Sequence, residues 1–408
     1  MVSATTINYA DRGVLGVVAP ELIRALHLTV AQYGIVVSAF SWVYVPLQFV
    51  AGSVVSRFGS RRSWITSMLI WSACVVLTPL MPVFGLLIIV RVVFGAVESG
   101  NFPSLGKIVG QWFPIHERSM AETGVGLGET LGNTLVVPLA ATLAAAGLWQ
   151  WPFFVLGVAA VVWAVLARKF LWNTPEDTPR VSVRECQWIR ENRPISAPRV
   201  RLPWRVILRN RTVWGTALSL FATAWMIYVT LGFVPLYFHQ ELHIATLALA
   251  GLAVWPWIGW GLGNIVGAQI SDRVFRRLGT LRVARSLVGG MGYLGGAVML
   301  FVLANSPSNP TLGITLISAT MFFVGTTNAI FCTVAVDVCP EEAGQTTAFT
   351  FAWAAGSGIV APLVVGFSVA ATHSFITAFT VSALVAVGGA LCAWILVRPD
   401  TDVIAIGP

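Results

Sequence analysis

Residues 52–62 read GSVVSRFGSRR and join two long apolar runs. The pattern returns 216 positions later. Ser56 and Arg57, then Arg61 and Arg62, are answered by Asp272 and Arg273, then Arg276 and Arg277. A second landmark repeats in the same order: Gly132 followed by Pro138 and Leu139 is matched 224 positions on by Gly356, Pro362 and Leu363. Two landmarks at near-equal offsets imply one unit written twice in the same sense, without inversion.

Composition identifies the solvent of that unit. Of the 408 residues, 56% are hydrophobic and 10% charged, with a mean hydropathy of +0.79, and no soluble domain presents so much apolar surface to water. Counting apolar runs of about 20 residues, the length that crosses a hydrocarbon core of roughly 30 Å, predicts twelve helical spans. They cover residues 2–25, 30–55, 64–81, 84–112, 119–146 and 151–172 in the first copy. The second copy has 213–238, 245–270, 286–304, 311–336, 346–371 and 375–397. The expected fold is therefore an all-α integral membrane protein. Residues 1–172 form one six-helix bundle and 212–408 a second, parallel one. A polar linker, 173–211, joins them, and its stretch 182–191 is expected to form a short surface helix.

The basic residues orient the chain. Arg57, Arg61, Arg62, Arg118, the run from Arg168 to Arg211, the run from Arg273 to Arg285, and Arg398 all fall on one side of the predicted spans, and only Arg24 on the other. By the positive-inside rule both termini and the linker face the cytoplasm. The net charge of +8 is then a record of topology, and no nucleic-acid partner is expected. The five cysteines, Cys74, Cys186, Cys332, Cys339 and Cys392, have no metal-ligand spacing and read as unpaired packing residues. No cofactor, no metal and no enzymatic site are expected, since no nucleophile and base pair stands at membrane depth. The use of 23 Arg against 2 Lys, with short loops, suggests a bacterial inner membrane and a GC-rich genome. The start of the chain has no cleavable signal pattern. Only ten residues precede Asp11, about 15 Å of helix, so either a longer natural start or local thinning of the bilayer is expected.

Ionisable residues inside the spans carry the functional argument. An ionisable group at the centre of a span costs roughly 2.5–3.5 kcal/mol on insertion scales, so its presence marks a polar cavity or a pathway. Asp11 and Arg12 lie in the first span, Arg91 and Glu98 in the fourth, and Glu129 in the fifth, whereas the second copy has no charge in the middle of any run. One charged site, built by the first copy, is the consequence. Arg91 and Glu98 are seven residues apart, about 10.5 Å along a helix, which is too far for a direct pair. In the second copy the candidate pocket positions are Trp225, Tyr228, Trp255, Trp257, Trp260, Asn264, Asn328, Cys332, Phe351 and Trp353. These point to a substrate with a carboxylate and a sparsely hydroxylated, aromatic body, unless they are interfacial and packing aromatics, their commoner fate.

Two parallel six-helix bundles resemble the major facilitator superfamily, and residues 52–62 resemble its loop signature Gly-x-x-x-Asp-Arg-x-Gly-Arg-Arg. Ser56 stands where the Asp is expected and Ser60 where the first Arg is. The latch that this motif implies, here Arg57, Arg61, Arg62, Asp272 and Arg273, is expected to be weaker or to recruit Glu117 or Glu122. More narrowly, Asn8-Tyr9-Ala10-Asp11-Arg12, Ser38-Ala39-Phe40-Ser41-Trp42-Val43-Tyr44, the run RVVFGAVESGNFPS at 91–104 and WFPIHER at 112–118 are similar to the anion:cation symporter family. That resemblance implies a proton-coupled organic-anion carrier. Arg12 would clamp a substrate carboxylate with its planar fork, Asp11 and Glu98 would carry protons, and Arg91 would reach Asp11. Tyr44, Tyr9, Glu129 and Asn328 would contact substrate.

Each role has a plainer counterpart. The lesser alternatives are Arg12 as a structural partner for Asp11 or Glu98 and Arg91 as a snorkelling arginine. Tyr44 is a tyrosine that satisfies a neighbouring helix, and Glu129, a departure from the family's Gln, is a permanently protonated packing acid. The expected protein is a monomeric carrier in the lipid bilayer that takes up a small organic anion with protons. The alternatives are an exporter of a metabolite or drug, against which the antiporter Gly-Pro pair is missing in the fifth span, and a non-transporting sensor.

Overall fold

A computed structural model describes residues 1–114, 117–192, 203–306, 308–338 and 343–402 of the chain. Cys339 lies outside the described residues, as do the side chains of Arg118 and Glu122. The helices are α1 (Val2–Val17), α2 (Ala19–Ala25), α3 (Val30–Phe58), α4 (Ser60–Leu77), α5 (Phe84–Glu98), α6 (Asn101–Trp112), α7 (Arg118–Ala145), α8 (Trp151–Phe170), α9 (Val183–Glu191) and α10 (Trp204–Arg209). They continue with α11 (Arg211–Gln240), α12 (Thr246–Leu252), α13 (Trp255–Leu278), α14 (Val288–Ala304), preceded by a π turn at Arg282–Leu287, α15 (Pro310–Val338), α16 (Ala343–Thr372) and α17 (Ile376–Leu396). Ten helical segments are long and apolar enough to cross a membrane among the described residues. The other two predicted spans appear as α1 with α2, and as α7, a 28-residue helix.

Three predicted spans are interrupted, and proline is the reason each time. Proline has no N–H to give the carbonyl four residues back, and its ring collides with that carbonyl. Pro20 separates α1 from α2 at Val18, Pro103 separates α5 from α6 at Ser99 and Gly100, and Pro256 separates α12 from α13 at Ala253 and Val254. The break in span four falls immediately after Glu98.

The expected loop around residue 59 is corrected. Arg57 lies in the last turn of α3 and Arg61 and Arg62 in the first turn of α4, with Gly59 the sole residue between the helices. Its φ of 83° is open to glycine and costly to other residues. Gly279, with φ 68°, ends α13 in the same way after Arg276 and Arg277. The expected surface helix forms as α9, and Ser182 caps it by accepting from the Glu185 N–H at 3.1 Å.

The chain divides into two compact units. The first holds Met1–Leu15 and the described part of Ala39–Arg199. Helices associate in lipid through close packing of small residues, not through a hydrophobic drive, and glycines set three such contacts here. A Cβ at Gly132 would fall 2.9 Å from Tyr9 Cβ and 3.0 Å from the Ala10 nitrogen, and one at Gly128 would fall 2.7 Å from the Val2 carbonyl oxygen, so α7 lies directly on α1. A Cβ at Gly95 would strike the Phe40 carbonyl, which locks α5 to α3. Helix α4 packs on α8, with Ser72 Oγ donating to the Gly157 carbonyl at 2.9 Å.

The second unit holds Gly16–Ser38 with the described part of Val200–Pro408. Tyr33 Oη donates to the Gly232 carbonyl and Ser38 Oγ to the Ile359 carbonyl, both at 2.9 Å. Helices α13 and α15 close along Gly259, Gly263 and Gly267. The chain end is strapped to this unit. Asp402 accepts from Arg211 Nε at 2.9 Å and from Thr212 Oγ1 at 2.7 Å, while the Asp400 carboxylate accepts the N–H groups of Leu281 and Arg282. In both units bulky apolar side chains such as Val158, Val165, Leu384 and Ile395 face outward, as a lipid environment requires.

Candidate functional site

The Gly128–Gly132 contact brings α7 against α1, and the Gly95–Phe40 contact brings α5 against α3. Together they gather seven of the predicted site residues in the first unit: Tyr9, Asp11, Arg12, Tyr44, Arg91, Glu98 and Glu129. Asp11 and Glu98 are almost wholly buried, and Arg12 and Arg91 nearly so.

Arg12 pairs with Glu98. Its Nε donates to Glu98 Oε1 at 2.6 Å, and Nη2 reaches the same oxygen. Three rings surround the guanidinium, Phe40 at 4.8 Å, Tyr44 at 5.0 Å and Tyr9 at 5.4 Å from Cζ to centroid. Such cation–π contacts contribute about 0.5–2 kcal/mol each, more where water is excluded. Phe40 also takes Arg91, whose Cζ lies 5.4 Å from that ring and 5.3 Å from Phe94. Arg91 is thus buried among aromatics instead of snorkelling along the surface. The Tyr9 phenol hydrogen-bonds Glu129, and Arg12 acts electrostatically on the same carboxylate.

Asp11 accepts a hydrogen bond from Trp71 Nε1 at 3.0 Å, and Glu98 is close enough to act on it as a like charge. One oxygen on each acid, Asp11 Oδ1 and Glu98 Oε2, has no hydrogen-bond partner among the described residues. Asn8, fully buried one turn before Asp11, has neither amide atom hydrogen-bonded. Buried polar groups are normally satisfied, so these mark the site as unfinished by the protein alone.

The charges do not balance. Two guanidiniums face three carboxylates, so the fully ionised cluster is net negative, and bringing in an anion makes it more so. Uptake of a proton offsets that charge, which is the chemistry this arrangement can perform.

The other predicted residues lie elsewhere. Asn328 is in the second unit, where its Nδ2 donates to Asn264 Oδ1 at 3.0 Å. Trp225 is satisfied by Ser382 Oγ at 3.0 Å, Trp257 and Trp260 are core, and Trp255, Phe351 and Trp353 are exposed. Trp353 stacks edge-on against Trp214 with ring centroids 5.2 Å apart, so it packs helices within the second unit. Of the latch residues, Arg61 stacks on Trp172 at 4.6 Å and bonds the Arg168 carbonyl, while Arg57, Arg62 and Arg273 are exposed. Asp272 meets Arg285 Nη1 at 3.5 Å, and Arg285 also holds Asp337 at 3.1 Å. Sequence reasoning missed Trp71, Arg285 and Asp337. A tryptophan in a span reads as packing, and Arg285 and Asp337 sit at helix ends where charge is ordinary. The described cysteines Cys74, Cys186, Cys332 and Cys392 form no disulfide, and no His, Cys, Asp and Glu cluster of metal-binding form occurs among the described residues.

Comparison with known proteins bears on this geometry. A family model described as Major Facilitator Superfamily matches residues 1–362. The chain is 30% identical over 385 residues to a probable sulfoacetate transporter of Cupriavidus necator, covering 94% of this chain and 89% of that protein. It is 28% identical over 398 residues to a hexuronate transporter of Bacillus subtilis, covering 97% and 93%. It is 29% identical over 391 residues to a probable galactarate/D-glucarate transporter of Escherichia coli, covering 91% and 87%. Among solved structures, a bacterial homologue of the human lysosomal transporter Spinster, in an inward-facing and occupied conformation, superposes with a TM-score of 0.77 at 16% identity, covering 100% of this chain and 97% of that one. A D-xylose–proton symporter gives a TM-score of 0.76 at 16% identity over 98% and 97%.

Proposed function

Because this chain belongs to the Major Facilitator Superfamily, a fold of twelve helices in two bundles, we propose that it is a secondary carrier that takes up a small organic anion together with protons by alternating access. It is a membrane transport protein and not an enzyme. The observation that carries the reading is the buried Arg12–Glu98 pair inside a cluster with excess carboxylate. Sulfoacetate, hexuronate and galactarate, named for its relatives, are all small and anionic. A carboxylate of that size matches the fork of Arg12.

In this reading Glu98 and the substrate compete for Arg12. Protonation of Glu98 frees the guanidinium, the anion takes the vacated fork, and Tyr9, Tyr44 and Glu129 contact its body. Asp11 carries a second proton, and Arg91, held by Phe40 and Phe94, keeps the cluster's charge in place. The bundles are residues 1–172 and 212–408, joined by the linker 173–211 on the cytoplasmic side with both termini, in a bacterial inner membrane and as a monomer. Arg57, Arg61 and Arg62, with Asp272 and Arg273, latch the cytoplasmic ends.

The test is proton movement in proteoliposomes containing a pH dye, challenged with sulfoacetate, hexuronates, aldarates and aromatic carboxylates. Acidification with one anion class, lost in Glu98→Gln, is expected. An anion that is bound or exchanged with no proton movement would replace symport by exchange.

A further inference from the structure

Asp11 is held by a residue that no part of the transport reading uses. Trp71 is fully buried, and its indole nitrogen donates a hydrogen bond to Asp11 at 3.0 Å from Oδ2. The indole is placed by helices other than the one that bears Asp11. Ser72, its neighbour, bonds the Gly157 carbonyl on α8, and Trp64, two turns earlier on α4, bonds Asn101 Oδ1 at 2.7 Å on α6. Helix α4 is therefore fixed at both ends of this stretch while Asp11 belongs to α1.

Indole N–H donates and never accepts. A hydrogen bond to a carboxylate is roughly twice as strong as one to its neutral acid, so this donor favours the ionised acid and occupies Oδ2 in either state. A proton that arrives must then sit on Oδ1, the oxygen without a partner. Asn8, one turn earlier, presents its side chain on the same helix face as Asp11, and its amide oxygen is buried without a donor. The charged groups around this position are Arg12 on α1, Arg91 and Glu98 on α5 and Glu129 on α7. From α4 the Cys74 thiol lies within the field of Arg91.

We propose that Trp71 is a positioning residue for proton coupling: it binds Asp11 Oδ2, directs the transported proton to Oδ1 and toward the Asn8 amide oxygen, and thereby sets the pH range in which the carrier loads. The proposal rests on the reading that Asp11 carries a proton. The step is a simple protonation, in which one O–H bond forms on Asp11 and the proton comes from and returns to water.

The probe is the proton itself. Purified full-length protein is titrated by infrared difference spectroscopy, following the carbonyl band of the protonated acid that Asp11→Asn removes. In Trp71→Phe the midpoint of that band moves up by about half to one pH unit, the gap between a charged and a neutral hydrogen bond expressed as proton affinity. In Asn8→Ala, which keeps the indole, it moves down, because the protonated acid has lost its acceptor. A merely structural role for Trp71 lowers thermal stability and leaves the midpoint where it was. An unchanged midpoint in folded Trp71→Phe overturns the proposal, and if that variant does not fold, an unchanged or raised midpoint in Asn8→Ala does so. A band that Asp11→Asn leaves intact shows instead that Asp11 does not titrate, and the transport reading of Asp11 fails on its own.

Discussion

Replacing Glu98 by Gln removes the negative charge that competes with substrate for Arg12 and leaves an amide oxygen to accept from Nε. The charges of the pair lie about 4 Å apart, and at an effective dielectric constant near 20 their attraction is about 4 kcal/mol, close to three decades in affinity. Two features of the cluster reduce that figure. Glu129 shares the field of Arg12, and the Gln oxygen keeps one hydrogen bond. A gain of about ten- to hundredfold in anion affinity at alkaline pH is the expected remainder. In Glu98→Gln the part of the pH dependence of anion affinity that comes from competition at Arg12 is absent, and what remains belongs to the other acids of the cluster. The variant also leaves a buried cation without its counter-charge, so it unfolds at lower temperature when empty and recovers when saturated with anion. Equilibrium titration and thermal unfolding of purified protein at two pH values, followed by proton-driven uptake and anion exchange in proteoliposomes, separate these effects. Net uptake driven by protons disappears and exchange persists. If Glu98→Gln keeps the wild-type pH dependence of affinity, Glu98 is not the competitor and the coupling scheme is wrong.

Arg12→Lys retains charge but loses the planar fork and stacks less well on Tyr9, Phe40 and Tyr44, so uptake in proteoliposomes falls at least about tenfold, and Arg12→Ala abolishes it. Gly132→Val drives a side chain into Thr6, Tyr9 and Ala10, which should lower the unfolding temperature and abolish transport, while Gly126→Ala, with open space around it, leaves both unchanged. Arg211 hydrogen-bonds Asp402 and holds its carboxyl below the ordinary aspartate range. The strap it makes is thus present above that range and lost as pH falls through the lowered value. Thermal unfolding should then show Asp402→Asn less stable than wild type at neutral pH by about a degree or two, the scale of a partly exposed pair, with the difference vanishing in acid.

The sequence made the charged cluster legible because ionisable residues inside apolar runs are costly enough to stand out. Asp11, Arg12, Arg91, Glu98 and Glu129 needed no partner to be noticed. Their pairing was less legible: that Arg12 meets Glu98, 86 residues away, depends on helix contacts set by Gly95 and Gly132, and glycines in a span are too common to single out. Trp71 was invisible for the opposite reason, since tryptophan is at home in a membrane and only the position of its nitrogen shows its use. The aromatic residues of the second copy are not sorted by type, because a ring that lines a cavity and one that faces lipid read the same in a sequence. The break after Glu98 could have been read from Pro103, four residues beyond Ser99, by asking which carbonyl loses its donor.

Span four is two segments that meet just after Glu98. In an unbroken helix each turn is bolted to the next by its ladder, so rotation at one end is felt at the other. Here Pro103 leaves the Ser99 carbonyl without its amide, and the far segment is anchored at its first residue by the bond from Trp64 to Asn101. The segment bearing Arg91 and Glu98 is held against α3 at Gly95, whereas the segment bearing Lys107 is held against α4 at Asn101. Glu98 is the last residue of its segment, so the place from which it meets Arg12 follows the α3 contact and not the half-helix beyond the break.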